Sequence, residues 1–138
     1  NSIMLNKPTR PTVYIKNLQK NLYVNFITIE DESWLAERFA GKAFEEYISE
    51  QQIDPVLEVF WLLMDNDAKR LVANAKLVKW ESGKETEVKS DDPIQRLRMI
   101  VSGSDEVFGI VSAIMQAKAL SIPDLVATEK KKTKAGEL

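Results

Sequence analysis

Between Asp54 and Asp65 the sequence reads DPVLEVFWLLMD, and Glu58 is the only charge between the two aspartates. A helix that is apolar on nearly every side cannot lie on a surface, so this segment belongs at the centre of a fold with the remaining elements packed around it. Asp54-Pro55 marks its start, an acid at the N-cap and a proline at the first helical position. Phe60 and Trp61 are therefore core residues first. The expectation is that Trp61, together with Trp34, is buried beside Leu35, Phe60 and Leu63.

The flanking sequence supplies the layers around that helix. Residues 1–11 contain Pro8 and Pro11 and read as an extended arm. TVYIKNLQKNLYVNFIT then gives strand-like runs at 12–18 and 22–28 with a polar QKN turn between them, and Leu22, Val24 and Phe26 share one face by the two-residue period. Thr28 stands three residues before Asp31, the spacing of a capping box, with Glu30, Asp31 and Glu32 in the first turn of a helix that runs to Gly41. KAFEEYISEQQ, 42–52, places Phe44, Tyr47 and Ile48 on one face of a short amphipathic helix. Asp65 caps a helix through 76, and Leu77–Glu81 and Glu85–Lys89 form a charged, exposed hairpin about a Ser82-Gly83 turn. DDP at 91–93 starts a helix ending at Gly103, and Ser104 caps the last helix, whose apolar stripe of Val107, Ile110, Val111 and Ile114 is widened by Phe108 and Met115. Pro123 stops it. The sum is an α+β fold, predominantly helical, with helices packed around a central apolar helix and one or two β-hairpins. Residues 12–127 form a single globular domain and residues 128–138 a disordered basic tail.

The residue types that are missing narrow the chemistry. The 138 residues include neither histidine nor cysteine. That removes Ser-His-Asp and Cys-His catalysis, thiolate chemistry, disulfides and the commonest zinc ligands together. The five glycines form no phosphate loop, and no serine stands three residues before a lysine. Asp65 and Asp67 open like a calcium loop, but Lys69 takes a ligand position and Arg70 the required glycine. Glu30, Asp31 and Glu32 are explained as a helix start, where the dipole favours negative charge. No enzymatic activity and no cofactor or metal is expected. The net charge of −2 argues against a nucleic-acid partner, and no apolar run reaches the length of a membrane span. No basic n-region with a cleavage site opens the sequence, which gives a cytoplasmic expectation. The tail EKKKTKAGEL carries four lysines against two glutamates, so the basic end is attached to an acidic body. Lys130, Lys131 and Lys132, with the Phe44–Tyr47–Ile48 face, are the candidate partner-binding residues.

The order of elements supports a resemblance. A strand running into FITIEDESWLAERF, the apolar DPVLEVFWLLMD, a hairpin, then RLRMIVSGSDEVFGIVSAI and SIPDL before a lysine-rich tail resembles the tail assembly chaperones of tailed bacteriophages over residues 22–125. Its landmarks are Trp34 with Leu35, Trp61, Gly103 and Pro123. The resemblance implies a small, mostly helical protein of the bacterial host's cytoplasm, absent from the mature virion. Such a protein binds the tape measure protein, keeps it soluble and brings tail-tube subunits to it. Many members also exist in a longer, frameshifted form, and adjacent lysine codons at 130–132 suit a slippery run. The other function class open to the sequence is a structural tail or connector subunit retained in the particle.

Overall fold

The centre of the protein is the helix that the sequence demanded. The computed structural model describes residues 10–39, 46 and 52–119. In chain order these residues form β1 (Thr12–Ile15), β2 (Lys20–Tyr23), α1 (Ile29–Phe39), α2 (Ile53–Leu63), α3 (Asn66–Asn74), β3 (Leu77–Glu81), β4 (Lys84–Val88), α4 (Pro93–Ile100) and α5 (Gly103–Ala119). This is the helix-dominated α+β architecture, with two separate antiparallel hairpins. Pro55, Val56, Leu57, Val59, Phe60 and Leu63 of α2 are all buried. Helices α4 and α5 pack on α2, and β1 packs on α5. The Phe44–Tyr47–Ile48 helix, the arm through residue 9 and the lysine-rich tail lie outside the described residues.

Local chemistry sets several of the element ends. The Thr28 backbone N–H donates to Asp31 Oδ2 at 3.0 Å and the Asp31 N–H donates back to Thr28 Oγ1 at 3.2 Å, a reciprocal capping box. Asp65 caps α3 by accepting from the Ala68 N–H at 2.8 Å. Asp92 caps α4 by accepting from the Ile94 N–H at 3.0 Å, ahead of Pro93 at the first turn. Ser82 and Gly83 both hold positive φ, 52° and 76°, the paired left-handed conformation of a tight hairpin turn. The β3–β4 ribbon it closes is exposed except at Leu77 and Val88, one residue ahead of the expected 85–89 in its second strand.

Other expectations are corrected. Trp34 is 37% exposed and meets Phe39 edge-on at 6.4 Å, so Phe39 rather than Trp34 enters the core. Trp61 is half-buried, with the Lys69 ammonium 5.6 Å from its ring centre, while Phe60 is 0% exposed. Consecutive helical residues point about 100° apart, so only one of the two can face the middle. Helix α2 begins at Ile53, not Pro55, and Asp54 is not its cap: Arg98 Nε donates to Asp54 Oδ1 at 2.7 Å. That pair fastens α2 to α4. Helix α4 ends at Ile100 rather than Gly103, and α5 begins at Gly103, where φ is 75°.

The first hairpin turns at Lys16–Gln19, not at Gln19–Asn21. Val13 then pairs with Leu22, and both face inward. Two distant groups hold the turn there. Asn17 Nδ2 donates to the Ile100 carbonyl at 2.6 Å, and the Lys16 N–H donates to Glu106 Oε2 at 2.9 Å. The second strand stops at Tyr23 instead of running to 28, because the chain switches partners. Val24 bridges to Met64, and the Asn25 N–H donates to the Leu63 carbonyl at 2.7 Å, satisfying a terminal carbonyl of α2. Leu22 and Val24 are fully buried, but Phe26 is only half-buried once the strand has ended.

Among the described residues two charged side chains are buried, and both serve the backbone. Glu106 also accepts from the Ser102 N–H at 2.8 Å, reaching back over the start of α5, whereas Ser104, expected as the cap, lies inside a helix that begins at Gly103. Arg96 donates through Nε to the Val72 carbonyl at 2.7 Å, through Nη1 to the Ser90 carbonyl at 2.8 Å and through Nη2 to the Ala75 carbonyl. A cation over the last carbonyls of α3 is favoured by the helix dipole. On α5, Gly109 lets the helix approach β1: a Cβ there would stand 3.0 Å from Val13 Cγ2.

Candidate docking groove

Among the described residues, helix α5 carries more apolar surface than its packing buries. Ile110, Ala113, Ile114 and Ala117 are buried. Phe108 and Met115 lie on the same helix, yet Phe108 is 73% exposed and Met115 is exposed as well. By the helical period, residues 108, 111 and 115 share a face separate from that of 110, 114 and 117. The unused face borders the first turn of α2. Between them runs a groove of about 520 Å³ lined by Gln52, Ile53, Val56, Ser104, Val107, Phe108 and Val111. Ile53, 43% exposed, forms part of its rim. Such a channel between two helices is the geometry into which an amphipathic helix lays its apolar side.

Beside Ile53, the Asp54–Arg98 pair supplies charge. The hydrogen bond from Arg98 holds the Asp54 carboxyl below its usual range, with slight desolvation opposing and the guanidinium charge assisting. The same bond and charge raise Arg98. A second exposed aromatic stands elsewhere: Trp80, 73% exposed, shares a face of β3 with Val78.

Asp31 is committed to its cap, and Glu30 is exposed beside it. Among the described residues, no cluster of acids could hold a metal ion, and no helix is long and apolar enough to cross a membrane. The sequence-predicted partner residues Phe44, Tyr47, Ile48, Lys130, Lys131 and Lys132 fall outside the described residues, so the groove brings together a different set. Sequence reasoning placed Phe108 and Met115 on one apolar stripe with Val107, Ile110, Val111 and Ile114. The signal against that assignment was present: adding Phe108 and Met115 to Ile110 and Ile114 makes the stripe wider than one buried face requires. No family model, no curated protein and no solved structure matches this chain.

Proposed function

We propose that this protein is a tail assembly chaperone of a tailed bacteriophage, a non-enzymatic binder of the tape measure protein. The resemblance over residues 22–125 supports the reading, and the observation that carries it furthest is the open apolar groove of Ile53, Val56, Val107, Phe108 and Val111. A tape measure protein is long and helical, and its apolar helices need cover until the tail tube surrounds them. The groove offers that cover by taking one apolar helix face at a time, with Phe108 as the aromatic anchor. Bound chaperones would space the client and deliver tail-tube subunits to it. They would act in the host cytoplasm and leave before the virion is finished.

The test is coexpression with a long helical tape measure protein. Wild type is expected to raise the client's soluble yield and to copurify with it, and Phe108→Asp to lose both while keeping its own far-UV circular dichroism. Mass spectrometry of purified virions adds the second arm. Finding the chain there in stoichiometric amounts would overturn the chaperone reading in favour of a retained structural subunit.

A further inference from the structure

We propose that a second copy of this chain docks on α3 through the outer face of its own α1, drawn there by charges that neither copy neutralises by itself. The contact uses no residue of the groove and does not depend on the chaperone reading. Helix α1 is thinly held: of its eleven residues only Phe39 is buried, and isolated helices of such a length are marginal in water. Phe39 and the half-buried Leu35 turn inward, so Glu30 and Glu37 point the opposite way, two turns or about 10 Å apart. Ile29, 70% exposed, stands on one side of that acidic line and the exposed Trp34 on the other.

Helix α3 presents the complement. Ala68 and Val72 are buried, which places Arg70 on the outward side. A cleft flanks it on either hand. One, of about 470 Å³, is walled by Lys20, Leu18, Leu71 and Ala75. The other, of about 490 Å³, is walled by Trp61, Lys69 and Ala73. Arg70 already pairs with Asp67. Among the described residues, Lys20, Lys69, Glu30 and Glu37 have no ion-pair partner. The cations are strung across α3, from Lys20 through Arg70 to Lys69, whereas the two acids are strung along α1. The two rows therefore coincide when α1 lies across α3 at close to a right angle, one of the less common helix crossings. Glu30 then meets Lys20 and Glu37 meets Lys69. With that direction set, right-handed helix geometry carries Ile29 toward Leu71 and Ala75 and turns Trp34 toward the Trp61 side. Crossed helices cover less than the roughly 800 Å² per partner of tight complexes. The association is accordingly weak.

Sedimentation of the full chain alone, from micromolar to submillimolar concentration, tests this without any client. Wild type is expected to self-associate, and added salt to weaken it. Glu37→Lys and Lys69→Glu should each weaken association about tenfold with circular dichroism unchanged. Mixed in equal amounts, the two variants should associate again, because each α1 then meets an α3 of opposite charge. The chain lacks cysteine, so Ser33→Cys mixed with Asn74→Cys gives a second readout. Mild oxidation should join those two chains, and should not join Ser33→Cys to Ser82→Cys on the β3–β4 turn. A wild type that stays monomeric throughout, single reversals without effect, a mixture no stronger than its components, or equal cross-linking at 74 and 82 would overturn the proposal. Phe108→Asp should self-associate as wild type does. Lost client capture in that variant therefore leaves this contact standing, and a monomeric wild type that captures client refutes this contact alone.

Discussion

Phe60 and Trp61 are neighbours on α2, and truncating each to alanine should have very different consequences. Phe60 is 0% exposed at the middle of the core, whereas Trp61 is half-buried with Lys69 against its ring. Removing a fully buried phenylalanine typically costs about 3–5 kcal/mol, from lost transfer energy plus the cavity left behind. The surroundings of Phe60 include Leu57, Leu63, Val59 and Val56, all close to fully buried. Little of the space can collapse, which places Phe60→Ala at the upper end of that range. Trp61→Ala gives up about half as much apolar burial and opens toward solvent, so it should cost roughly 1–2 kcal/mol. A domain of this size has only about 5–15 kcal/mol of stability. The midpoint shift for Phe60→Ala should then be on the order of 10–20 °C, and for Trp61→Ala a few degrees. Urea titration followed by circular dichroism at 222 nm, which reads helix content, measures both variants through the same transition. Equal losses, or a larger loss for Trp61→Ala, would refute the placement of Phe60 rather than Trp61 at the centre.

Glu106→Ala orphans the Lys16 and Ser102 N–H groups together and should cost about 2–4 kcal/mol in the same titration, with Glu106→Gln intermediate because one acceptor oxygen remains. Gly109→Val should destabilise by about 1–3 kcal/mol, since even a Cβ meets Val13 at 3.0 Å, while Gly109→Ala should come out near neutral as its helix-propensity gain offsets the contact. Arg98→Ala should raise the Asp54 pKa toward 3.8 in a carboxyl-carbon NMR titration. With the folded pKa of Asp54 depressed, its contribution is present above the unfolded value and disappears as the pH falls through the folded one, so variant and wild type should differ at neutral pH and converge in acid. Glu30→Gln with Glu32→Gln should weaken the start of α1 by about 0.3–1 kcal/mol per charge and leave client capture intact in the coexpression assay.

The parts of this fold that were legible in the sequence are those set by neighbours in the chain. Thr28 with Asp31, Asp65, Asp92-Pro93 and Ser82-Gly83 each bond within a few residues, so their geometry follows from spacing. The apolar α2 was legible because every side of it needed cover. What failed was set by contacts across the chain. The first turn sits at Lys16–Gln19 because Asn17 reaches Ile100 and Lys16 reaches Glu106. Asp54 reads as a cap until Arg98 arrives from α4 to take its carboxylate. Whether Trp34 or Phe39 enters the core depends on how α1 is rolled against α2, which the Arg38–Glu58 charge pair at 2.7 Å helps to fix through proximity rather than hydrogen-bond alignment. The groove was hidden for the same reason. Periodicity identifies Phe108 as apolar, but only the position of α2 decides that nothing described here covers it.

The Glu106 bridge has a consequence for the order in which a ribosome can complete this protein. The first hairpin leaves the exit tunnel ahead of α5, yet its turn is held by Glu106 and Ile100, and its inner strand packs on α5. At bacterial translation speeds of about 5–20 residues per second, the nascent hairpin waits several seconds for α5 to emerge. An isolated two-stranded hairpin is marginal in water, so Val13, Ile15 and Leu22 stay uncovered through that interval. The first strands thus close only once α5, made later in the chain, has emerged to lock them in place.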